Sequence, residues 1–535
     1  MEPIQQFLLR PWLYLIIVII GIALKFYGIE SKYFWYDEIE TIMHSSGISD
    51  NAYPAMVPLN EVKNISFYYD LLHLNTQHYT IGSQLKGLFS MPQLAPLHPA
   101  LLIFWHRIAG DDFIHYRLFN VFIFLLTLPF LFLLCKTLFK SNLAGWIAIS
   151  LFSISPFFNA YTQEARYIIL WAFFVIAIHA VFLQAISHNK LIWWIGYTII
   201  AILLMYTSLL SAIVLFGHCV YIWILRKDLR LAYSLCVLIV FLVYLPWIVT
   251  MFNTRDEILR SMYWHTVPAR LKFWMPLVGQ GFGFAHIFES FEEYVWVYVR
   301  LFFKGDNPSD ILIPVIINIL ILVLIIASIF YLLRRSDKKT LSFLLLITLP
   351  FSLFIYILDI VRNGRVSFIW RYQIISFIGI FLILVYFLYK KINMGRYTYS
   401  GIYIGLIIIG IASIFKISNN KCWTVLCTCN AWENYNSAKL FSTCEKPLLI
   451  TDFTYWAGMG GFLEVIANCQ SDNVDVLYAS PDNATIKEQI EGKEYSEIFI
   501  VHASSELVQN LKLQFKEKVD SLEIGGWTPM WQIRY

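Results

Sequence analysis

The sequence predicts a polytopic α-helical membrane protein with about eleven transmembrane helices and a small α/β domain at its C-terminal end. Three observations predict it. Runs of roughly 18 or more mostly apolar residues recur over the first 416 positions, the length a helix needs to cross a bilayer. Of the 535 residues, 58% are hydrophobic and only 14% charged, where a soluble chain carries about a quarter charged. From residue 417 the pattern changes to short apolar stretches separated by helical ones, as alternating strands and helices require. The net charge of +4 names no partner, because the charges are segregated by side and do not act as one field.

The spans are expected at 11–29, 114–135, 143–158, 165–187, 191–206, 207–225, 232–252, 309–333, 340–360, 371–390 and 399–416. No small-residue cleavage site follows the first run, so it reads as a retained helix rather than a removed signal peptide. Alternate short loops carry Lys136 and Lys140; Lys190; Arg226, Lys227 and Arg230; Arg334, Arg335, Lys338 and Lys339; Lys390, Lys391 and Arg396. With Arg10 these fourteen cations fall on one face, which the positive-inside rule makes cytoplasmic. The other face takes loop 30–113, with nine acids against four Lys or Arg, then loops 159–164, 253–308 and 361–370 and the tail. Counting the apolar stretch Leu97 to Ile108 as a span would invert every later loop. It is therefore expected in or against the outer interface.

In the tail domain, 417–535, strands are expected at Pro447 to Asp452, Val474 to Tyr478 and Glu497 to Val501, with helices around 484–492 and 504–517. The domain lies on the non-cytoplasmic side by the charge rule. Five of the eight cysteines (Cys422, Cys427, Cys429, Cys444 and Cys469) fall there. In an oxidising compartment some of them are expected to pair, with the pairing left open. Zinc is the competing reading for Cys422, Cys427 and Cys429, although their spacing is not a standard zinc pattern.

Polar groups return repeatedly to the outer face. Phe34-Trp35-Tyr36-Asp37-Glu38 follows the first span directly. Its rings suit the headgroup level and its adjacent carboxylates an aqueous cleft, the alternative being an aromatic belt and a solvated acidic loop. His98-Pro99 opens the interfacial stretch, with Arg107 further along it. Tyr116-Arg117-Leu118-Phe119-Asn120 begins the second span. Glu164 and Arg166 lie in the Tyr161 to Tyr167 turn, and Trp370-Arg371-Tyr372 begins the tenth span. Any one arginine could simply snorkel to the interface, and Glu164 could pair only with Arg166. Three arginines and a histidine on the acidic face nevertheless run against the charge trend, and ionisable groups at membrane depth usually mark a working site. Arginine's planar fork suits phosphate. Beside two carboxylates, such a cluster fits a reaction that releases a phosphate: cations stabilise the leaving charge and a carboxylate takes a proton. Loop 253–308, rich in Trp, Phe and Tyr, carries Gly279, Gly281 and Gly283 and reads either as a cover over the cleft or as an interfacial anchor. No Walker or dinucleotide fingerprint is present in the sequence.

Taken in order, Tyr36-Asp37-Glu38, His98-Pro99, Tyr116 to Asn120, Tyr161 to Tyr167 and Arg371-Tyr372 resemble the membrane glycosyltransferases of GT-C type. Within that group the resemblance is to the bacterial branch related to protein O-mannosyltransferases and to the lipid A aminoarabinose transferase. Ala100 stands where the family often has a second proline. The resemblance implies a GT-C-like fold in the inner or plasma membrane with its site facing the periplasm or exterior. It implies a polyprenyl-phosphate-linked sugar donor, a lipid, glycan or protein acceptor, and no nucleic acid. Asp37 would be the general base and Glu38 would orient the site or pair with Arg117. His98, Arg117, Glu164, Arg166, Arg371 and Tyr372 would hold the donor and its phosphate. The anomeric centre would invert. No cofactor is assigned, and a divalent metal is left open. The rival class, a transporter or flippase of lipid-linked glycans, calls for charges at the bilayer midplane and a pseudo-symmetric repeat, and the sequence shows neither. A membrane receptor would leave the carboxylates and arginines without a role.

Overall fold

Each of the eleven apolar runs is helical in the computed structural model, which describes residues 10–49, 52–72, 80–91, 95–110, 112–255, 309–362, 366–419, 421, 431–452, 456–469, 471–516, 518–522 and 530–534. Among the described residues seven helices are long and apolar enough to cross a membrane: Phe113–Phe139, Ile168–His188, Lys227–Asn253, Ile316–Arg335, Lys338–Arg362, Trp370–Asn393 and Tyr397–Asn419. The protein is an integral membrane protein. Three runs, Pro11–Leu24, Leu191–Thr207 and Leu209–Leu225, give shorter apolar helices. The remaining run is broken.

That break corrects the expected span 143–158 and the expected loop 159–164. One helix, Asn142–Ser153, ends and a second, Pro156–Gln163, starts at 59° to it. The sequence dictates the restart: Ser155 accepts the Phe158 N–H at 3.4 Å, and Pro156 takes the first helical position, where a missing N–H costs nothing. The first run also stops early, at Leu24, and the chain turns through residues 25–30 with Gly28 at φ 71°. The expected loop 361–370 contains the 3-10 turns Val366–Phe368 and Trp370–Gln373, the latter leading into Ile374–Asn393.

The chain divides into two compact units. The first comprises Met1–Ile29, Pro92–His98 and Arg117–Asn419 and holds the membrane helices. Its centre is legible from burial: 94% of the apolar stretch of Ile168–His188 is covered, against 22% for Lys227–Asn253. Pro11–Leu24 lies close against Asn142–Ser153, since a Cβ on Gly21 would come 2.5 Å from the Ser153 Cβ.

The second unit comprises Glu30–Met91, Pro99–Tyr116 and Asn420–Tyr535, so much of the long segment 30–113 packs with the tail. Its sheet has six strands, β1 Val62–Asn64, β2 Pro447–Thr451, β3 Asp475–Tyr478, β4 Glu497–Ile500, β5 Val519–Leu522 and β6 Met530–Ile533, in the order β1-β3-β2-β4-β6-β5. The three strands read from the sequence, β2, β3 and β4, are the parallel centre; β1 adds an antiparallel edge beside β3, and β6 and then β5 add antiparallel strands beside β4. Side chains alternate as a pleat demands. Leu449, Val476 and Phe499 face one core with Ile39, Met43, Tyr68, Phe462 and Ile466. Leu448, Ile450, Leu477, Ile498 and Ile500 face another, covered by Ile486–Ile490 and Ser505–Gln514. The helix Tyr36–Ser45 is thus a core element of this unit, with Ile39 and Met43 fully buried.

Cys444 and Cys469 are free thiols, and burial together with the neighbouring Glu497 carboxylate pushes the Cys444 thiol up to about 12. Cys422, Cys427 and Cys429, and loop 253–308 from residue 256 on, lie outside the described residues.

Candidate functional site

In the first unit a single side-chain amide gathers the expected polar groups. The Asn120 Nδ2 donates to the Glu164 carbonyl and, at 2.7 Å, to the Arg166 carbonyl. Both amide hydrogens are thereby spent on carbonyls, so Oδ1 is the acceptor of the 3.3 Å contact with the His98 Nε2. That assigns the Nε2–H tautomer to His98. The ring is buried, and burial lowers its pKa to about 3, with the Arg166 charge acting in the same direction. His98 is therefore a neutral donor already in use, and charge for an anion has to come from the arginines.

Arg117 is fully buried three residues before Asn120, and its Nη1 donates to the Ile29 carbonyl at 2.7 Å. The same exit of the first helix is held from a second side. Gln163 Nε2 donates to the Lys25 and Tyr27 carbonyls at 2.9 Å each, and Lys25 Nζ donates to the Ser153 carbonyl at 2.9 Å and Asn159 Oδ1 at 3.0 Å. Backbone carbonyls freed where helices end are good acceptors for such side chains. Arg371 and Tyr372 sit on Trp370–Gln373, which Asp359 fixes by accepting the Val366 and Ser367 N–H groups at 2.9 and 2.8 Å while Gln373 returns a bond to the Ser367 carbonyl at 2.6 Å. Arg371 is buried, with its guanidinium 5.4 Å from the Tyr372 ring centre. Phe157 and Phe377, edge to face at 5.1 Å, pack the restarted helix on the helix that follows Arg371.

Asp37 and Glu38 belong to the second unit, in the first turn of Tyr36–Ser45. Acids there complement the positive end of the helix dipole. Glu38 is fully buried and Asp37 partly so. Trp35 supplies no side-chain cap. The exposed Tyr36 N–H is met instead by Glu464 Oε1 at 2.6 Å, from the helix Trp456–Asn468. Asn434 Nδ2 donates to Glu464 Oε2 at 2.5 Å, and Asn434 Oδ1 meets His502 Nε2 at 2.8 Å. Burial raises the Glu464 pKa to about 7, with Asp37 adding to the rise against the bonds from Asn434 and Tyr36, and burial lowers His502 to about 4. One turn on, Asn468 exchanges bonds with the Phe34 N–H and carbonyl at 3.1 and 2.8 Å.

Thus His98, Glu164 and Arg166 are joined through Asn120, Arg117 is anchored to the end of the first helix, and Arg371 with Tyr372 is locked by Asp359. Arg107 is tied to Gln84 and to the Ile103 carbonyl in the second unit, which accounts for it structurally. Sequence reasoning missed Lys25, Asp359, Asn434, Glu464 and His502. Lys25 and Asp359 carried a usable signal, a charge inside an apolar run; Glu464, within Gly460 to Ala467, carried a fainter one. Among the described residues no group of three or more His, Cys, Asp or Glu could hold a metal ion.

No family model and no curated protein matches the sequence. Solved structures do. The chain is similar to ArnT from Cupriavidus metallidurans bound to undecaprenyl phosphate, at 10% identity over 97% of each chain with a TM-score of 0.50. The chain therefore has the fold of this ArnT. The apo state of the same ArnT gives 11% identity, 97% of each chain and a TM-score of 0.49. The apo oligosaccharyltransferase of Archaeoglobus fulgidus gives 11% identity over 95% of this chain and 73% of its own, with a TM-score of 0.44.

Proposed function

We propose that the protein is a glycosyltransferase that moves a sugar from a polyprenyl-phosphate-linked donor to an acceptor hydroxyl at the outer face of the membrane. The observation that carries the reading is Arg117: a guanidinium with no exposure, at a helix start, beside the Asn120 junction that ties His98 to the Glu164–Arg166 turn. A guanidinium's planar fork suits a phosphate, and ionisable groups at membrane depth usually mark a working site. A protein similar in fold was crystallised with undecaprenyl phosphate, which supports a polyprenyl phosphate as the ligand.

In this reading Arg117, Arg166 and Arg371 hold the phosphate. Asp37 takes the proton as the acceptor oxygen bonds to the anomeric carbon, and the bond from that carbon to the phosphate oxygen breaks. The polyprenyl phosphate leaves as a stable anion, so no acid is required for the leaving group. A single displacement inverts the anomeric centre. Buried Glu38 orients its neighbours, and the neutral His98 holds the Asn120 junction rather than adding charge.

The test is purified protein in lipid nanodiscs given the total lipid extract of the source cells, read as polyprenyl phosphate released and as new glycoconjugate by mass spectrometry. Release with a matching glycosylated product is expected. Movement of lipid-linked glycan across sealed vesicles with no release would instead establish the flippase.

A further inference from the structure

The start of the Tyr36–Ser45 helix, which carries Asp37 and Glu38, is held by a side chain some four hundred residues along the chain. A helix start leaves its first N–H groups without partners, and a local Ser, Thr, Asp or Asn normally caps them. Here the capping position is Trp35, which offers no acceptor, and the acceptor of the Tyr36 N–H is Glu464 at 2.6 Å. Tyr36 is adjacent to Asp37, so this bond fixes the backbone from which Asp37 projects.

The carboxylate is itself held in place. Asn434 donates to its other oxygen at 2.5 Å, and His502 Nε2 closes the series on the Asn434 carbonyl oxygen at 2.8 Å. Asn434 Oδ1 can only accept, so His502 must present a hydrogen on Nε2, and the series has one polarity from end to end. Glu464, Asn434 and His502 are all buried.

The backbone is shaped around these contacts. Gly460 and Gly461 sit on the face of the Trp456–Asn468 helix that meets them. A Cβ on Gly460 would lie 2.7 Å from the Tyr36 ring, and one on Gly461 2.1 Å from the His502 ring. His502 follows β4 with φ 49°, a left-handed conformation that a non-glycine residue adopts only when its surroundings impose it.

We infer that Glu464, aimed by Asn434 and His502, is a positioning residue for the transfer reaction, setting the backbone of Tyr36 and with it the carboxylate of Asp37. The inference rests on the glycosyltransferase reading and deepens it: the tail domain acts on turnover through the Asp37 helix, and leaves donor binding to the membrane unit.

The test uses the full chain in nanodiscs with source-cell lipid extract as donor and acceptor, and undecaprenyl phosphate alone for binding. Glu464→Ala should lower the maximal rate of polyprenyl phosphate release tenfold or more and leave half-saturation and undecaprenyl phosphate affinity within twofold. Glu464→Gln should keep at least a third of the rate, since its amide can accept from Tyr36 while the Asn434 amide and the His502 tautomer turn over to match. Equal loss of rate and of donor affinity, or an unchanged rate in Glu464→Ala, overturns the inference. If Glu464→Ala does not accumulate, Asn434→Ala takes its place, leaving the carboxylate present but unaimed. It must show the same split, and an undiminished rate overturns the inference as well. Amide exchange at Tyr36 to Glu40 separates this from failure of the enzymatic reading. Exchange there should speed up at least tenfold in Glu464→Ala whether or not any sugar is moved. Unchanged exchange removes the link itself, whereas fast exchange with no transfer by the wild type removes only the glycosyltransferase reading.

Discussion

The two units each build a junction from the same pair of residue types, a buried histidine and an asparagine, and end it differently. In the membrane unit His98 meets Asn120 Oδ1, and the Asn120 amide ends on two backbone carbonyls, those of Glu164 and Arg166. In the second unit His502 meets Asn434 Oδ1, and the Asn434 amide ends on the Glu464 carboxylate. Carbonyls do not titrate, so the first junction is fixed in every state of the protein. A carboxylate does, and with burial raising it to about 7 the second carries a proton that comes and goes near neutrality. Under the proposed function the first junction serves the phosphate and the second the group that takes the proton. The division of labour between holding and reacting is what experiments should try to break.

The largest effect falls on Asp37. A hydroxyl is a weak nucleophile near neutral pH, and removing its general base costs on the order of 10²–10⁴-fold in rate. Asp37→Asn preserves size and most hydrogen bonding but cannot take the proton, so transfer is expected to collapse while undecaprenyl phosphate binds as before. Glu38→Gln should do less. Near-normal transfer by Asp37→Asn would move the reacting group elsewhere and dissolve the comparison.

Next comes the proton on Glu464. Its ordinary value is 4.5 and its folded value about 7, so the folded state holds the proton that the unfolded state releases. Below 4.5 both states are protonated and the group contributes nothing. As pH rises from 4.5 to 7 stability falls, and above 7 the cost is constant at roughly 3 kcal/mol, the shift taken at about 1.4 kcal/mol per unit. Protease susceptibility of the tail should therefore rise from pH 5 to 7.5 in the wild type and rise less in Glu464→Gln. Identical profiles would show that the Glu464 junction does not titrate.

How far the sequence revealed these two junctions depended on what each residue stands out against. Helices in the membrane were legible because apolar runs have one explanation, and β2, β3 and β4 because a buried strand must be apolar throughout. The edges β1 and β5 were not, since half-exposed strands of three or four mixed residues look like loop. Arg117, Glu164 and Arg166 stood out as charges at helix ends. Asn120 was noticed only as the end of a motif, and its role as the junction could not be read. Glu464 and His502 pair with groups hundreds of positions away, and no local pattern encodes a contact between 36 and 464. The break at Ser155-Pro156 was legible in principle, as a capping residue before a proline, but an unbroken apolar run outweighed it.

Arg117→Ala and Arg166→Ala reverse the expectation for Asp37. Losing a charge-assisted hydrogen bond costs roughly 1.5–3 kcal/mol, about ten- to a hundredfold. The loss should appear in the affinity for undecaprenyl phosphate as well as in transfer, with the protein still inserted. Wild-type affinity in both variants would leave these arginines as interface anchors.

The smallest expected effect is none, and it tests the membrane junction most directly. A phosphate held by His98 as imidazolium would bind more tightly as pH falls through the histidine range. His98 is instead held neutral, its pKa lowered to about 3 by burial and by Arg166, with its one N–H committed to Asn120. Arginines stay charged throughout. A polyprenyl phosphate monoester gains a proton near pH 6, so a non-titrating diester headgroup is the cleaner probe. Affinity for undecaprenyl-phosphate-linked sugars, measured in nanodiscs from pH 5.5 to 8, should stay within about twofold, and His98→Gln should share that flat profile. A tenfold gain toward acid that His98→Gln abolishes would put the charge on His98, and the two histidine–asparagine junctions would then differ in their partners but not in their chemistry.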